Sequence, residues 1–276
     1  NHLKNSGIIP DFINFKVLKK NDGNYYVDTK SLLQIQTFIN SNITTCSRFI
    51  LKPSLGSQGK GIEVIRYYEQ FLDWLKTPKF NFTDWSISEF LNPITITSRK
   101  LKDNLPRKSH IRSYFIITKY INNKIDVYEL NKRLLYFAVD SYIFNCVSLN
   151  EQNKYSFITN LALASEERNT HYDTSNYTDD LSKYKDQIFN YKRISNQITE
   201  FGLRCIDIIY ENNINCFNEK CDNFKGCFQI IAIDYLLIEK NKLVLLEVNK
   251  GPGFKALKVN FNLENIFDEI FSVTID

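Results

Sequence analysis

Hydrophobic positions along this chain recur at two periods, and each period predicts an element. Steps of three and four mark helices. In SLLQIQTFINS they place Leu32, Ile35, Phe38 and Ile39 on one face, and in YYEQFLDWLK they do the same for Tyr68, Phe71, Leu72 and Leu75. The longest such stretch starts at Thr178 and repeats at Leu181, Tyr184, Ile188, Tyr191, Ile194, Ile198 and Phe201. It predicts one helix, capped by Thr178 or Asp179 and ended by Gly202. LENIFDEIFS predicts a closing helix.

Strand-like runs lie between these helices. RFILKPSLGSQGKGIEVIR reads as strand, glycine-rich turn, strand, and WSISEFLNP as a short strand ending at Pro93. IRSYFIITKY and KIDVYELN flank a turn at Asn122-Asn123, and RLLYFAVDSYIF continues the strand character. FQIIAIDYLLIE and KLVLLEVN are two buried strands joined by Lys240-Asn241. Helices and strands mix without strict βαβ alternation, so the fold class is α+β rather than a doubly wound sheet.

Composition narrows the class. With 276 residues, 43% hydrophobic and 24% charged, the chain matches an ordinary globular protein of about two domains. Lys plus Arg number 35 against 31 for Asp plus Glu, and a net charge of +4 gives no argument for nucleic acid. The longest apolar run, IIAIDYLLI, carries an Asp, so no membrane span is expected. NHLKNSGIIPDF has no signal-peptide pattern. The chain holds no Met and is expected to be processed or a piece of a longer one. Without a secretion signal, Cys46, Cys146, Cys205, Cys216, Cys221 and Cys227 are expected as reduced thiols, and the C-x4-C-x5-C of the last three lacks the close pair of a zinc site.

Three constellations can carry chemistry. Lys52 precedes the loop Gly56-Ser57-Gln58-Gly59-Lys60-Gly61. Glycines let backbone N–H groups approach phosphate oxygens, and a strand lysine adds charge. The spacing is not that of a Walker loop, and a glycine-rich hairpin without a ligand fits it equally. Glu247 and Asn249 lie two apart on one predicted strand and share a face, with Asp234 on the partner strand. Three oxygen donors suit Mg²⁺. A solvated sheet face is the other reading, disfavoured because carboxylates among Ile and Leu are costly when unpaired. Lys108 and Arg112 are an even step apart at a strand start and serve either as an anion clamp or as a solvated pair. No persuasive Ser-His-Asp or Cys-His set is present.

Taken in order, these pieces resemble the tubulin tyrosine ligase-like family of ATP-grasp ligases. FILKPSLGSQGKGI is similar to the family's strand-lysine-glycine loop, KSHIR to its K-F-D-I-R, and Ile158-Thr159-Asn160 to its H-L-T-N. CFQIIAIDYLLIEKNKLVLLEVNKGP is similar to its C-F-E-L-x-G-x-D-x-L-x-D…L-L-E-V-N-x-x-P ending, the most specific match. The resemblance covers about residues 46 to 260. It implies an α+β ATP-grasp fold whose two lobes grip a nucleotide between a glycine-loop lobe, 46–91, and a mixed or antiparallel sheet in 92–276. Residues 1–45 stand apart as an N-terminal segment, read as the remnant of a further domain.

The resemblance further implies ATP and Mg²⁺ as cofactors. Lys52 and Lys108 would hold phosphates, covered by Gly56, Ser57, Gln58, Gly59 and Gly61. Ser88, Glu89, Phe90 and Leu91 would be the hinge strand against the adenine, and His110 stands where the family has a ribose-contacting Asp. Asn160 would orient phosphates and metal, with Thr159 beside it toward the substrate. Asp234, Glu247 and Asn249 would bind the metal, with Arg112 and Glu247 stabilising the transferring phosphate as catalytic residues. Phe157 replaces the His of H-L-T-N, and Ala232 replaces a Gly. Tyr136 stands where an Arg often grips the incoming amino acid, and Arg133 is expected to turn inward and replace it.

The implied activity is an ATP-dependent ligase that adds an amino acid to a protein carboxylate through an acyl phosphate. Tyrosination, glutamylation or glycylation of a tubulin tail are the instances. The partners are then a free amino acid and tubulin or another protein with an acidic tail, drawn by the basic run of Arg99, Lys100, Lys102, Arg107 and Lys108. No nucleic acid or membrane partner is expected, and the location is the cytoplasm and cytoskeleton, cilium or flagellum included. The other readings are an ATP- or microtubule-binding module without catalysis and an ATP-grasp ligase for a small carboxylic acid.

Overall fold

The computed structural model describes residues 10–19, 21, 24–43, 48–54, 61–76, 83–120, 124–142, 154–211, 226–239 and 242–274. The loop residues Gly56, Ser57, Gln58 and Gly59, the turns at Asn122-Asn123 and Lys240-Asn241, and Cys46, Cys146, Cys216 and Cys221 lie outside them. Cys205 is a buried free thiol.

The first lobe runs through β1 (Phe12–Lys16), β2 (Leu18–Lys19), β3 (Tyr25–Tyr26), α1 (Thr29–Asn42), β4 (Phe49–Pro53), β5 (Glu63–Ile65), α2 (Tyr68–Lys76) and β6 (Asp84–Glu89). Its sheet has the order β1-β6-β4-β5, antiparallel throughout. Asp28 caps α1 by accepting the Ser31 N–H at 3.0 Å. The apolar stripes of both helices then close on the sheet: Ile35 and Ile39 from α1 and Phe71 from α2 pack with Phe49, Leu51, Trp85 and Ile87. The boundary drawn at residue 45 falls inside this layer. β1 pairs with β6 from Phe12↔Ser88 to Lys16↔Asp84, and Phe15 and Val17 belong to the same core. Alternation of apolar and polar residues over Ile13, Phe15 and Val17 is the sequence signal of this strand.

The second lobe begins with β7 (Thr95–Thr97), β8 (Pro106–Tyr120), β9 (Ile125–Glu129), β10 (Leu134–Phe137), α3 (Leu161–Arg168) and α4 (Thr174–Tyr177). It continues with β11 (Thr178–Asp180), α5 (Tyr191–Glu211), β12 (Gly226–Ile238), β13 (Lys242–Lys250), α6 (Lys255–Asn260) and α7 (Leu263–Thr274). The sheet order is β11-β10-β8-β12-β13, with β7 and β9 also pairing β8, all antiparallel. β8 sorts its side chains by parity. Phe115 and Ile117 meet Ile194, Ile198 and Ile206 of α5 on one face. Tyr114 and Ile116 meet Ala256, Leu257, Ile266 and Ile270 of α6 and α7 on the other.

The single helix expected from Thr178 to Gly202 is three elements. Thr178–Asp180 is strand β11, held against β10, and a 3₁₀ turn follows over Leu181–Tyr184. Asn190 then adopts φ 53, a left-handed conformation that interrupts any continuous helix before α5 starts. The apolar spacing still read burial correctly, since Leu181, Tyr184, Ile188, Ile194 and Ile198 share one core. Gly202 does not end α5, which runs on to Glu211. A Cβ there would lie 2.0 Å from the Phe115 ring, so the glycine is a seat for a core aromatic.

Candidate functional site

A cavity of about 610 Å³ is lined by Ile50 and Lys52 of the first lobe and by side chains of β8, β10, β12, β13, α6 and the 157–162 segment. Parity places its charged groups. On β4, Phe49 and Leu51 enter the core, which sends Ile50 and Lys52 to the cleft. On β8, the residues of even number that precede the core face are Lys108, His110 and Arg112, and all three line the cavity.

Lys52 and Lys108 face each other's field. Burial pushes the Lys52 amine down, opposed by Glu247. Burial first, and Lys52 second, lower Lys108 to about 7. Lys108 Nζ lies 5.2 Å from the centre of the Phe90 ring. Neither lysine makes an ion pair among the described residues. Two desolvated cations side by side fit a polyphosphate, which would restore the charge balance of both.

Asp234 is the buried centre of the opposite charge. Its Oδ1 accepts from Arg112 Nε at 2.6 Å and its Oδ2 from Arg112 Nη2 at 2.7 Å, a bidentate pair across directly opposed residues of β8 and β12. Asn249 Nδ2 donates to the same Oδ2 at 3.3 Å. Glu247 sits opposite Asp234 on β13, where a register shift makes Leu246 an extra residue between the Asp234↔Glu247 and Tyr235↔Leu245 pairs. Burial, then Asp234, raise the Glu247 carboxyl although it reaches the open cleft. Two carboxylates and an amide oxygen are the hard donor set that Mg²⁺ takes, completed by water and phosphate. Among the described residues, no three His, Cys, Asp or Glu side chains form a metal cluster.

His110 and Tyr136 stack with ring centres 4.8 Å apart, and the Arg112 guanidinium lies 4.9 Å from the Tyr136 centre. Burial first lowers the imidazole to about 4, so it is neutral at pH 7. His110 Nδ1 shares a hydrogen bond of 2.6 Å with Thr159 Oγ1, while Nε2 is buried without a hydrogen-bond partner among the described residues, 3.9 Å from Asp234 Oδ2. Asn160 caps α3 by accepting the Leu163 N–H at 3.0 Å, and its side chain borders the cavity.

Ser88, Glu89, Phe90 and Leu91, expected as the hinge strand, meet the cavity through Phe90, whose ring lies beneath Lys108 Nζ. Two other expectations for individual residues fail. Arg133 does not replace the missing cation at Tyr136. It shares the parity of Leu135 and points to the α5 layer, bound twice to Glu129 at 2.7 and 2.8 Å and to Ser195 and Thr199. The basic run is largely spent on partners within the fold itself. Arg99 pairs with Asp186, and Lys100 is bound by the Ser175 and Thr178 carbonyls and Asn260. Arg107 is buried against Asp103 and the Ala138 and Val139 carbonyls, and Lys108 is in the cavity, which leaves Lys102 and the Arg99–Asp186 pair at the surface. Gly61, at φ 80, is the one described glycine of the predicted loop and packs near Pro53 and Trp85. The cavity also holds Thr174, Gly253 and Lys255, which sequence reasoning missed. Glycines flanking Pro252 directly after the Glu247-Asn249 strand were the available signal for the last two.

Known proteins similar to this chain share its family and fold. A human tubulin polyglutamylase, TTLL6, is 28% identical over 217 residues, which is 75% of this chain and 22% of that protein. A probable tubulin–tyrosine ligase of Schizosaccharomyces pombe is 25% identical, covering 88% of this chain and 60% of its own length. The chain thus spans only part of the curated relatives it matches. The crystal structure of the C-terminal domain of Kluyveromyces lactis Pby1, described as an ATP-grasp enzyme interacting with the decapping enzyme Dcp2, superposes with a TM-score of 0.56 at 20% identity, covering 96% of this chain and 64% of that one. That likeness gives the fold, ATP-grasp. The profile of the tubulin-tyrosine ligase family matches residues 15–276, so the chain belongs to that family.

Proposed function

We propose that the chain is an ATP-dependent carboxylate–amine ligase that joins an amino acid to a protein carboxylate, with a tubulin tail as the acceptor to test first. The supporting observation is the pairing of two desolvated lysines, Lys52 and Lys108, with the carboxylates Asp234 and Glu247 around one cavity, with Asn249 hydrogen-bonded to Asp234 beside it. MgATP, when bound, supplies the phosphoryl group that activates a carboxylate. Lys52 and Lys108 hold the polyphosphate, Asp234, Glu247 and Asn249 hold the cation, and Arg112 faces the charge that develops in transfer. Neutral His110 is locked by Thr159 and the Tyr136 ring and leaves Nε2 as a polar contact for the nucleotide. This reading carries with it a cytoplasmic, microtubule-associated location.

A second reading, a nucleotide-binding module without turnover, is favoured by one observation: Tyr136 rather than a cation lines the wall where the amino-acid carboxylate would bind. The test is incubation with tubulin, MgATP and each amino acid, followed by mass spectrometry of the tails. Added residues establish the ligase. Calorimetric ATP binding with no addition selects the second reading, and no ATP binding removes both.

A further inference from the structure

Resting on the nucleotide-site reading, we infer that the Arg112–Asp234 pair is an internal plug that keeps free metal ions out and is exchanged only for a metal–polyphosphate complex. Both Asp234 oxygens are taken by one guanidinium at 2.6 and 2.7 Å, and the residue is 4% exposed. A bare cation that took Asp234 would leave the Arg112 charge uncompensated in a desolvated wall, and breaking a buried pair on one side is strongly unfavourable. A free polyphosphate that drew Arg112 away would strand Asp234 in the same manner. A cation and a polyphosphate arriving together replace one pair by two: Arg112 with phosphate, Asp234 with metal. Every buried charge then keeps a partner. The geometry allows the exchange, because the guanidinium already lies over the Tyr136 ring with Nη1 3.4 Å from its hydroxyl, and Tyr136 lines the cavity. The ring would hold the cation at the wall as Asp234 lets go.

The test uses Mn²⁺ as the probe, with free ion read by electron paramagnetic resonance, and a non-hydrolysable ATP analogue. The deciding comparison is between the unaltered chain and Arg112→Lys. The lysine keeps the charge but cannot cover both Asp234 oxygens. Mn²⁺ alone is expected to bind Arg112→Lys at least tenfold tighter than the unaltered chain, while the Mn²⁺–analogue complex binds Arg112→Lys no tighter. Asp234→Asn serves as the second variant and is expected to lose Mn²⁺ in both settings, with melting curves confirming that each chain is folded. Unchanged Mn²⁺ affinity in Arg112→Lys overturns the plug and leaves nucleotide binding, measured in the same series, intact. Absence of analogue binding in the unaltered chain overturns the plug together with the nucleotide site.

Discussion

Lys108 shows what a single residue contributes and what it costs. Its amine has an ordinary value of 10.5 and is lowered to about 7, chiefly by burial. Below pH 7 it is charged in the folded and unfolded chain alike, and the folded state bears the full penalty of burying it. Between about 7 and 10.5 the unfolded chain holds the extra proton, so this residue's contribution to stability improves as pH rises through that window. Lys108→Met should therefore raise the melting temperature, most at pH 6 and least near pH 10, and lower ATP affinity at least tenfold. Melting curves across pH and calorimetry check both halves; a melting gain independent of pH would sink the assignment. At this scale the site was legible wherever strand parity governed it, as for Lys52, Lys108, Arg112, Asp234 and Glu247. Parity also explains the failure at Arg133, an odd step from Tyr136 on the same chain segment and so committed to the other face. The partners of Arg99, Lys100 and Arg107 are Asp186, Asp179 and Asp103, together with carbonyl oxygens, and a run of basic letters does not reveal them.

At the scale of elements, two positions separate structural from ligand roles. Gly202→Ala gains helix propensity of about 1 kcal/mol but drives a methyl into the Phe115 ring. Overpacking of this kind costs about 1–3 kcal/mol, so net destabilisation is expected in denaturant titration, relieved when Phe115→Leu is added. Asn160 has a different split. Asn160→Asp keeps an acceptor for the Leu163 N–H and should leave the melting temperature within about a degree or two, because Asp and Asn cap about equally well. It also places a second negative charge beside the polyphosphate, so ATP affinity should fall; equal affinity in calorimetry would remove Asn160 from the nucleotide site. The helix drawn through Thr178 to Gly202 failed for a physical reason. Periodic burial survives a break, since a strand, a 3₁₀ turn and a helix can all feed the same core, and the break itself rests on Asn190, an ordinary surface letter.

For the whole molecule, the α+β class followed from hairpin-like strands and amphipathic helices that mix without strict βαβ alternation, and the two lobes from the family resemblance. The division at residue 45 did not, because β1 finds its partner β6 about seventy residues later. Arg133 acts at this scale. It ties Glu129 of β9 to Ser195 and Thr199 of α5 and so clamps the helical layer onto the sheet. Its removal leaves a carboxylate buried without its partner, which costs about 3–5 kcal/mol. Arg133→Ala should lower stability by about that amount in urea while leaving ATP affinity within twofold. A stable variant with a weakened amino-acid KM would restore Arg133 to the substrate pocket.

The lowered amine of Lys108 has one more consequence, in the heat of binding. At pH 8 the free chain carries this side chain largely without its proton, and a polyanion that needs the charged form must draw one from solution. That proton comes from the buffer. The heat measured on adding nucleotide should then differ between Tris and phosphate by the buffers' difference in ionisation enthalpy times the protons taken up. The difference should shrink towards pH 6, where the Lys108 amine is already charged, and at pH 8 should be smaller in Lys108→Met, with any remainder belonging to Lys52.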